Sequence, residues 1–140
     1  TRQEPFFQQH LAGIVNHILG LMFMTNHNRI LQPDNELAGI IDKSRAYLQE
    51  SVESDISMPE VADHPGISYT TFRHAFKKYT GQSPAQYFIN LKLHRAKEML
   101  RGTSASIKEI SYTLHFESPE YFATTFRRKT GMSPSEFRKI

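Results

Sequence analysis

The chain has 140 residues, a net charge of +3 and no cysteine. That length supports one or two small domains with modest cores, and the lack of cysteine excludes disulfides, thiolate-ligated zinc and a thiol nucleophile. The charge is uneven: residues 1–65 carry four Lys/Arg against nine Asp/Glu, and residues 66–140 carry thirteen against five. A basic half beside an acidic half points to nucleic acid or another anionic surface.

Periodicity is helical from end to end, and no run alternates with period two, so the expected class is all-α. The first predicted helix covers roughly 5–29. Along it Phe7, Leu11, Ile14, Ile18 and Leu21 step by four and three in turn, a heptad seam widened by Val15, Leu19, Met22 and Phe23. Such a seam serves either a homodimer or packing within the same chain, and both readings stay open. Gln32-Pro33-Asp34-Asn35 is the candidate boundary. It divides the chain into residues 1–33 and 34–140. A start on Thr1 rather than Met fits a fragment or processed chain. No signal peptide is visible and no apolar run reaches the ~18 residues of a bilayer span, so the expected location is cytoplasmic, away from membranes.

Helices then follow at about 35–50, 58–64, 69–79, 84–101, 107–114, 119–129 and 134–139. Leu37, Ile40, Ile41, Ser44, Tyr47 and Leu48 form one apolar stripe in the first of these, and Glu53-Ser54-Asp55 is a polar connection. The 84–101 segment has no interior Gly or Pro and should be one helix, on the order of 26 Å long.

Much of this second part is said twice. SYTTFRHAFKKYTGQSPAQYF from Ser68 is answered by SPEYFATTFRRKTGMSPSEFR from Ser118. Identical pairs are Ser68/Ser118, Phe72/Phe122, Phe76/Phe126, Thr80/Thr130, Gly81/Gly131, Ser83/Ser133 and Pro84/Pro134. With one residue less between them, Met58-Pro59-Glu60-Val61-Ala62 matches Ile107-Lys108-Glu109-Ile110-Ser111. Four capping boxes are predicted, at Ser57/Glu60, Ser83/Gln86, Ser106/Glu109 and Ser133/Glu136. Pro84 and Pro134 suit the first helical position, and Gly81 and Gly131 suit left-handed caps.

Each repeat reads as helix, turn, helix: about 58–79 and about 107–129, joined by the helix at 84–101. In a helix-turn-helix the second helix enters the major groove of duplex DNA. On helix 69–79, Phe72, Phe76 and Tyr79 share one side; Thr70, His74 and Lys77 lie opposite, flanked by Arg73 and Lys78. On helix 119–129, Phe122, Phe126 and Lys129 share one side; Glu120, Thr124 and Arg127 lie opposite, flanked by Ala123 and Arg128. Groups able to read base edges thus precede phosphate-seeking cations on both helices.

These residues resemble the C-terminal DNA-binding domain of the AraC/XylS family of bacterial transcription regulators. The resemblance covers roughly 38–140, and it implies that 34–140 is the DNA-binding domain and 1–33 a linker or dimerisation helix, the remnant of an upstream regulatory domain. It is carried by Ile107-Lys-Glu-Ile-Ser, by Phe116-Glu-Ser-Pro-Glu-Tyr-Phe122, by Phe126-Arg-Arg-Lys-Thr-Gly131-Met-Ser-Pro134 with Phe137-Arg138, and by Leu91-Lys-Leu-His-Arg-Ala96-Lys-Glu-Met-Leu100 in the joining helix. It implies a regulator, an activator more than a repressor, that binds duplex DNA and engages RNA polymerase. Three departures stand out. His115 replaces a usual Gly, at a cost on the order of 1 kcal/mol if that position is left-handed. Ser111 replaces a usual Ala, so its hydroxyl needs a partner. Pro65 precedes Gly66 and should end helix 58–64 early.

Other classes have less behind them. His10 and His17 lie seven apart and no His pair has metal-ligand spacing. No phosphate loop or nucleophile elbow is present, so neither an enzyme nor a cofactor is expected. A protein-binding module would carry acidic or apolar outward faces, where Arg73, Lys77, Arg127 and Arg128 stand instead.

Overall fold

The computed structural model describes residues 17–19, 35–64 and 66–140. The chain divides into two compact units, Thr1–Gly39 and Ile40–Ile140. Within the first unit residues 17–19 are helical. Among the described residues every regular element is a helix: α1 over 35–50, α2 Met58–Val61, α3 Tyr69–Thr80, α4 Pro84–Gly102, α5 Ile107–Thr113, α6 Pro119–Thr130 and α7 Pro134–Arg138.

Local chemistry explains where each helix begins. Three of the expected capping boxes form. Ser57, Ser106 and Ser133 accept the N–H of Glu60, Glu109 and Glu136, whose carboxylates accept the Ser N–H in return at 3.0, 2.6 and 2.7 Å. The fourth is half a box. Ser83 accepts the Gln86 N–H at 3.3 Å, but the Gln86 amide turns to Asn90 Oδ1, one helical turn on, at 3.2 Å. Asn90 in turn donates to Gln82 Oε1 at 2.8 Å, so a side-chain chain replaces the reciprocal bond.

Two features end α3 and α6 in the same way. Gly81 and Gly131 sit at φ 80° and 85°, the left-handed region that favours glycine, and each N–H reaches back to Lys77 or Arg127 O at 2.8 Å. Thr80 Oγ1 donates to Phe76 O, and Thr130 Oγ1 to Phe126 O, at 2.7 and 2.8 Å. By contrast α2 stops at Val61, short of the expected 64. A residue that precedes proline is steered away from helical angles, which accounts for His64 lying outside the helix.

The repeated aromatics form two cores of the same design. Phe72 and Phe76 stand 5.8 Å apart, and Phe76 meets Tyr87 edge-on at 5.3 Å and 76°. Phe122 and Phe126 stand 5.8 Å apart, and Phe126 meets Phe137 edge-on at 5.5 Å and 76°. The first core adds Ile41, Leu48, Val61 and Ala62, all buried. Tyr47, expected on the same stripe, is 47% exposed. The second core gathers Leu93, Ala96 and Leu100 of α4 around Ile110, Leu114 and Phe116.

Helix α4 touches both modules, packing against α3 on one side and α5 and α7 on the other. At 1.5 Å per residue it is about 28 Å long. Its middle is clamped. Arg95 pairs with Glu53 at 2.7 Å and Glu98 at 3.0 Å. Lys92 lies over the rings of Phe88 and Phe116 and donates to His115 O at 3.3 Å. Burial pulls the Lys92 pKa below its ordinary value.

Candidate nucleic-acid interface

Both second helices present the divided faces expected of them. On α3, Phe72, Ala75 and Phe76 are buried, while Thr70, Arg73, His74, Lys77 and Lys78 are exposed. On α6, Phe122, Thr125 and Phe126 are buried, Glu120, Thr124, Arg127 and Arg128 are exposed, and Ala123 is partly covered. Thr70, Arg73, His74 and Lys77 line one hollow together with Tyr69. Sequence reasoning passed over Tyr69. Its place directly after the cap Ser68 was the available signal, because a side chain in the first turn reaches beyond the helix end.

Tyr79 and Lys129, grouped with the apolar side in the sequence reading, are exposed. Both sit in the last turn, where the buried stripe has already ended. The cations Lys77 and Lys78, and Arg127, Arg128 and Lys129, also occupy last turns, a position that favours positive charge at a helix C-terminus. Glu120 lies in the first turn of α6, where the same field favours an acid.

The turns ahead of these helices differ in build. The first contains Gly66 at φ 81°. In the second, His115 adopts φ 52°, the left-handed geometry that makes its replacement of Gly costly. Its ring Nε2 lies 3.1 Å from Glu53 O, and its own carbonyl accepts from Lys92. A side chain and two bonds therefore hold a turn that glycine would leave freer. Ser111, the other departure in this module, is fully buried and its Oγ has no hydrogen-bond partner among the described residues.

Basic residues elsewhere divide into free and engaged. Arg95 is committed to Glu53 and Glu98, and those bonds, Glu53 first, raise its pKa. Arg138 donates to the carbonyls of Leu100 and Ala105, tying the chain end to the α4–α5 connection. Lys108 is exposed beside the Tyr112 ring. Among the described residues no three His, Cys, Asp or Glu side chains are grouped to hold a metal ion, and no helix is long and apolar enough to cross a membrane. Of the heptad seam, Ile18 is helical and 50% exposed; Phe7, Leu11, Ile14 and Leu21 lie outside the described residues.

Paired helix-turn-helix modules on a shared helix define a class of DNA-binding fold, and comparison with known proteins places the chain within it. Residues 61–140 match the family described as "Helix-turn-helix domain", more than half of the chain. The HTH-type transcriptional activator RhaS of Escherichia fergusonii is 28% identical over 134 residues, covering 94% of this chain and 48% of that protein. The crystal structure of the DNA-binding domain of AdpA with a target DNA aligns at TM-score 0.67 and 26% identity, over 71% of this chain and 89% of that one. A transcriptional regulator with an AraC-type DNA-binding domain from Chromobacterium violaceum aligns at TM-score 0.67 and 28% identity, over 73% and 91%. The chain belongs to the AraC/XylS family of helix-turn-helix transcription regulators. It spans about half, or less, of the length of the curated relatives it matches.

Proposed function

We propose that this chain is the sequence-specific DNA-binding part of a bacterial transcription activator. Helices α3 and α6 enter successive major grooves on one face of the duplex, about 34 Å apart, and α4 sets their spacing. The observation that carries this reading is the equivalence of the two frames: the same caps, the same ring geometry and an outward basic helix on each. Thr70, Arg73 and His74, and Glu120, Ala123 and Thr124, face the bases. Lys77, Lys78, Arg127 and Arg128 face phosphates. Activation is supported by the RhaS relative, described as a transcriptional activator, and implies contact with RNA polymerase. In this reading the protein is cytoplasmic and not an enzyme. Residues 1–33 lead to a regulatory domain and pair two copies through Phe7, Leu11, Ile14, Ile18 and Leu21, while residues 34–140 bind DNA.

Hydroxyl-radical footprinting on a selected site tests the geometry. Two protected patches one helical turn apart on one face support it. A single patch, or protection wrapped around the duplex, refutes it.

A further inference from the structure

We infer that the two helices read half-sites of unlike base content, guanines under α3 and a cytosine beside a thymine under α6, and that three positions on each helix carry the difference. The inference rests on the DNA-binding reading above and deepens it. Where the repeats differ along α3 and α6, some differences are explained inside the protein. Thr71 takes part in the Ser68 cap, with the two hydroxyls 2.9 Å apart, and its counterpart Tyr121 leans on Phe116 at 6.2 Å. Ala75 and Thr125 are buried. Tyr69, exposed in the hollow with Arg73 and His74, is aligned with Pro119, which takes the first helical position of α6.

Outward differences remain at Thr70 against Glu120, Arg73 against Ala123 and His74 against Thr124 in the first half of each helix, and at Tyr79 against Lys129 in the last turn. Among the described residues Arg73, His74, Glu120 and Thr124 form no ion pair and no side-chain hydrogen bond, so their polar groups are available to a ligand. They stand in the first half of each helix, the part that meets base edges in this motif. Further along, the repeats converge again on Lys77/Arg127 and Lys78/Arg128, which carry charge and little base information.

The base preferences follow from donor and acceptor patterns. Arg73 offers the two-pronged donor that fits guanine O6 and N7, and His74 adds a ring nitrogen beside it. Glu120 has only acceptors when ionised, which suits the cytosine N4 amine and clashes with guanine O6 and N7. Ala123 suits a thymine methyl, and Thr124 supplies a methyl and a hydroxyl. Because the two frames match from cap to cap, each set of three should work on the other helix.

The test is binding-site selection from a random duplex library with the whole chain, its fold monitored by circular dichroism. Wild type should return two unlike halves about 10 base pairs apart. E120T/A123R/T124H should turn the second half into a copy of the first, and T70E/R73A/H74T should remove the guanines from the first. Glu120→Gln should move one position from cytosine towards adenine, with preference changing roughly tenfold. A role for Glu120 confined to the helix dipole would lower stability and leave that base unchanged. Unaltered motifs in folded exchange variants overturn the inference, as does wild-type binding that is salt-sensitive and selects no sequence. Absence of any DNA binding by wild type overturns the broader reading instead.

Discussion

Ser111→Ala should stabilise the protein. Ser111 lies on α5 beside buried Ile110, is fully buried itself, and its Oγ finds no partner among the described residues. Its backbone is satisfied independently, since Ser111 O accepts the Phe116 N–H at 3.0 Å. Leaving a buried hydroxyl unpaired costs about 1–3 kcal/mol on mutational scales. Removing the oxygen forfeits several dispersion contacts of about 0.1–0.2 kcal/mol each. Alanine also gains up to about 0.5 kcal/mol in helix propensity. The net expectation is a gain of about 1–2 kcal/mol. For a domain near 100 residues each kcal/mol raises Tm by roughly 4–8 °C. Thermal melts followed by circular dichroism at fixed pH and salt measure it, with DNA affinity as the control. A fall in Tm on substitution would mean that the hydroxyl is bonded after all, to Ile107 O or to a buried water.

Salt dependence should report which cations meet phosphate. Lys77, Lys78, Arg127, Arg128 and Lys108 predict a log–log slope of about −4 to −5, and replacing Arg127 and Arg128 by Ala should flatten it by about one to two units; an unchanged slope would place them off the duplex. Glu109 and Glu136 are held below the usual carboxylate range, chiefly by the backbone N–H of Ser106 and Ser133. A depressed folded pKa gives stability that is present above the unfolded value of about 4.3 and lost as pH falls through the folded one. Glu109→Gln with Glu136→Gln should therefore flatten the acid side of a Tm-against-pH curve below about pH 5, and parallel curves would refute the assignment. Leu11→Glu with Ile18→Glu should give a monomer in sedimentation that still binds a single site; a wild type already monomeric at high concentration would rule out the seam.

Helix starts, helix stops and the division of faces were legible because short-range chemistry sets them. The Ser caps, the glycines at 81 and 131, and the spacing of Phe72, Phe76, Phe122 and Phe126 all act within a turn or two. Most of what escaped the sequence depends on partners far along the chain. In the sequence Lys92 and Arg95 are two cations of the joining helix with no partner marked, yet Glu53 captures Arg95 across 42 positions, and the ring of Phe116 shelters Lys92. Arg138, near the chain end, bonds carbonyls 38 and 33 positions back. Gln86 fitted the capping pattern, but Asn90 competed for its amide. Tyr47 fitted the stripe of α1, but lies at the edge of what the first core covers. The Gln86–Asn90 competition is local, within one helical turn, and the others are decided by tertiary neighbours, which periodicity does not encode.

The most consequential element for function is α4, because it belongs to both modules at once. Its start repeats the start of α7: Ser83-Pro84 caps it as Ser133-Pro134 caps α7, and Phe88 near that end is buried with the first module. Whereas α7 stops after five residues, α4 runs on and gives Leu93, Ala96 and Leu100 to the second core. Adding one Ala between Phe88 and Ile89 would keep the buried apolar contacts of each module and break those that cross the insertion, Asn90 with Gln82 and Gln86 and Lys92 with Phe88. It would also turn everything downstream by about 100° and advance it by about 1.5 Å. If α3 and α6 must face the same side of the duplex, that turn swings one of them out of its groove. Affinity for the paired site should then fall to that of one module, while melting shows two intact cores weakened by loss of the polar contacts that cross the insertion and of those Glu53 makes with Arg95 and His115. A four-residue insertion restores the phase to within about 40° and should recover part of the affinity. Fluorescence anisotropy on paired and single half-sites distinguishes the cases. Wild-type affinity for the paired site after the single insertion would show that α4 does not fix the geometry, and that the modules find their grooves independently.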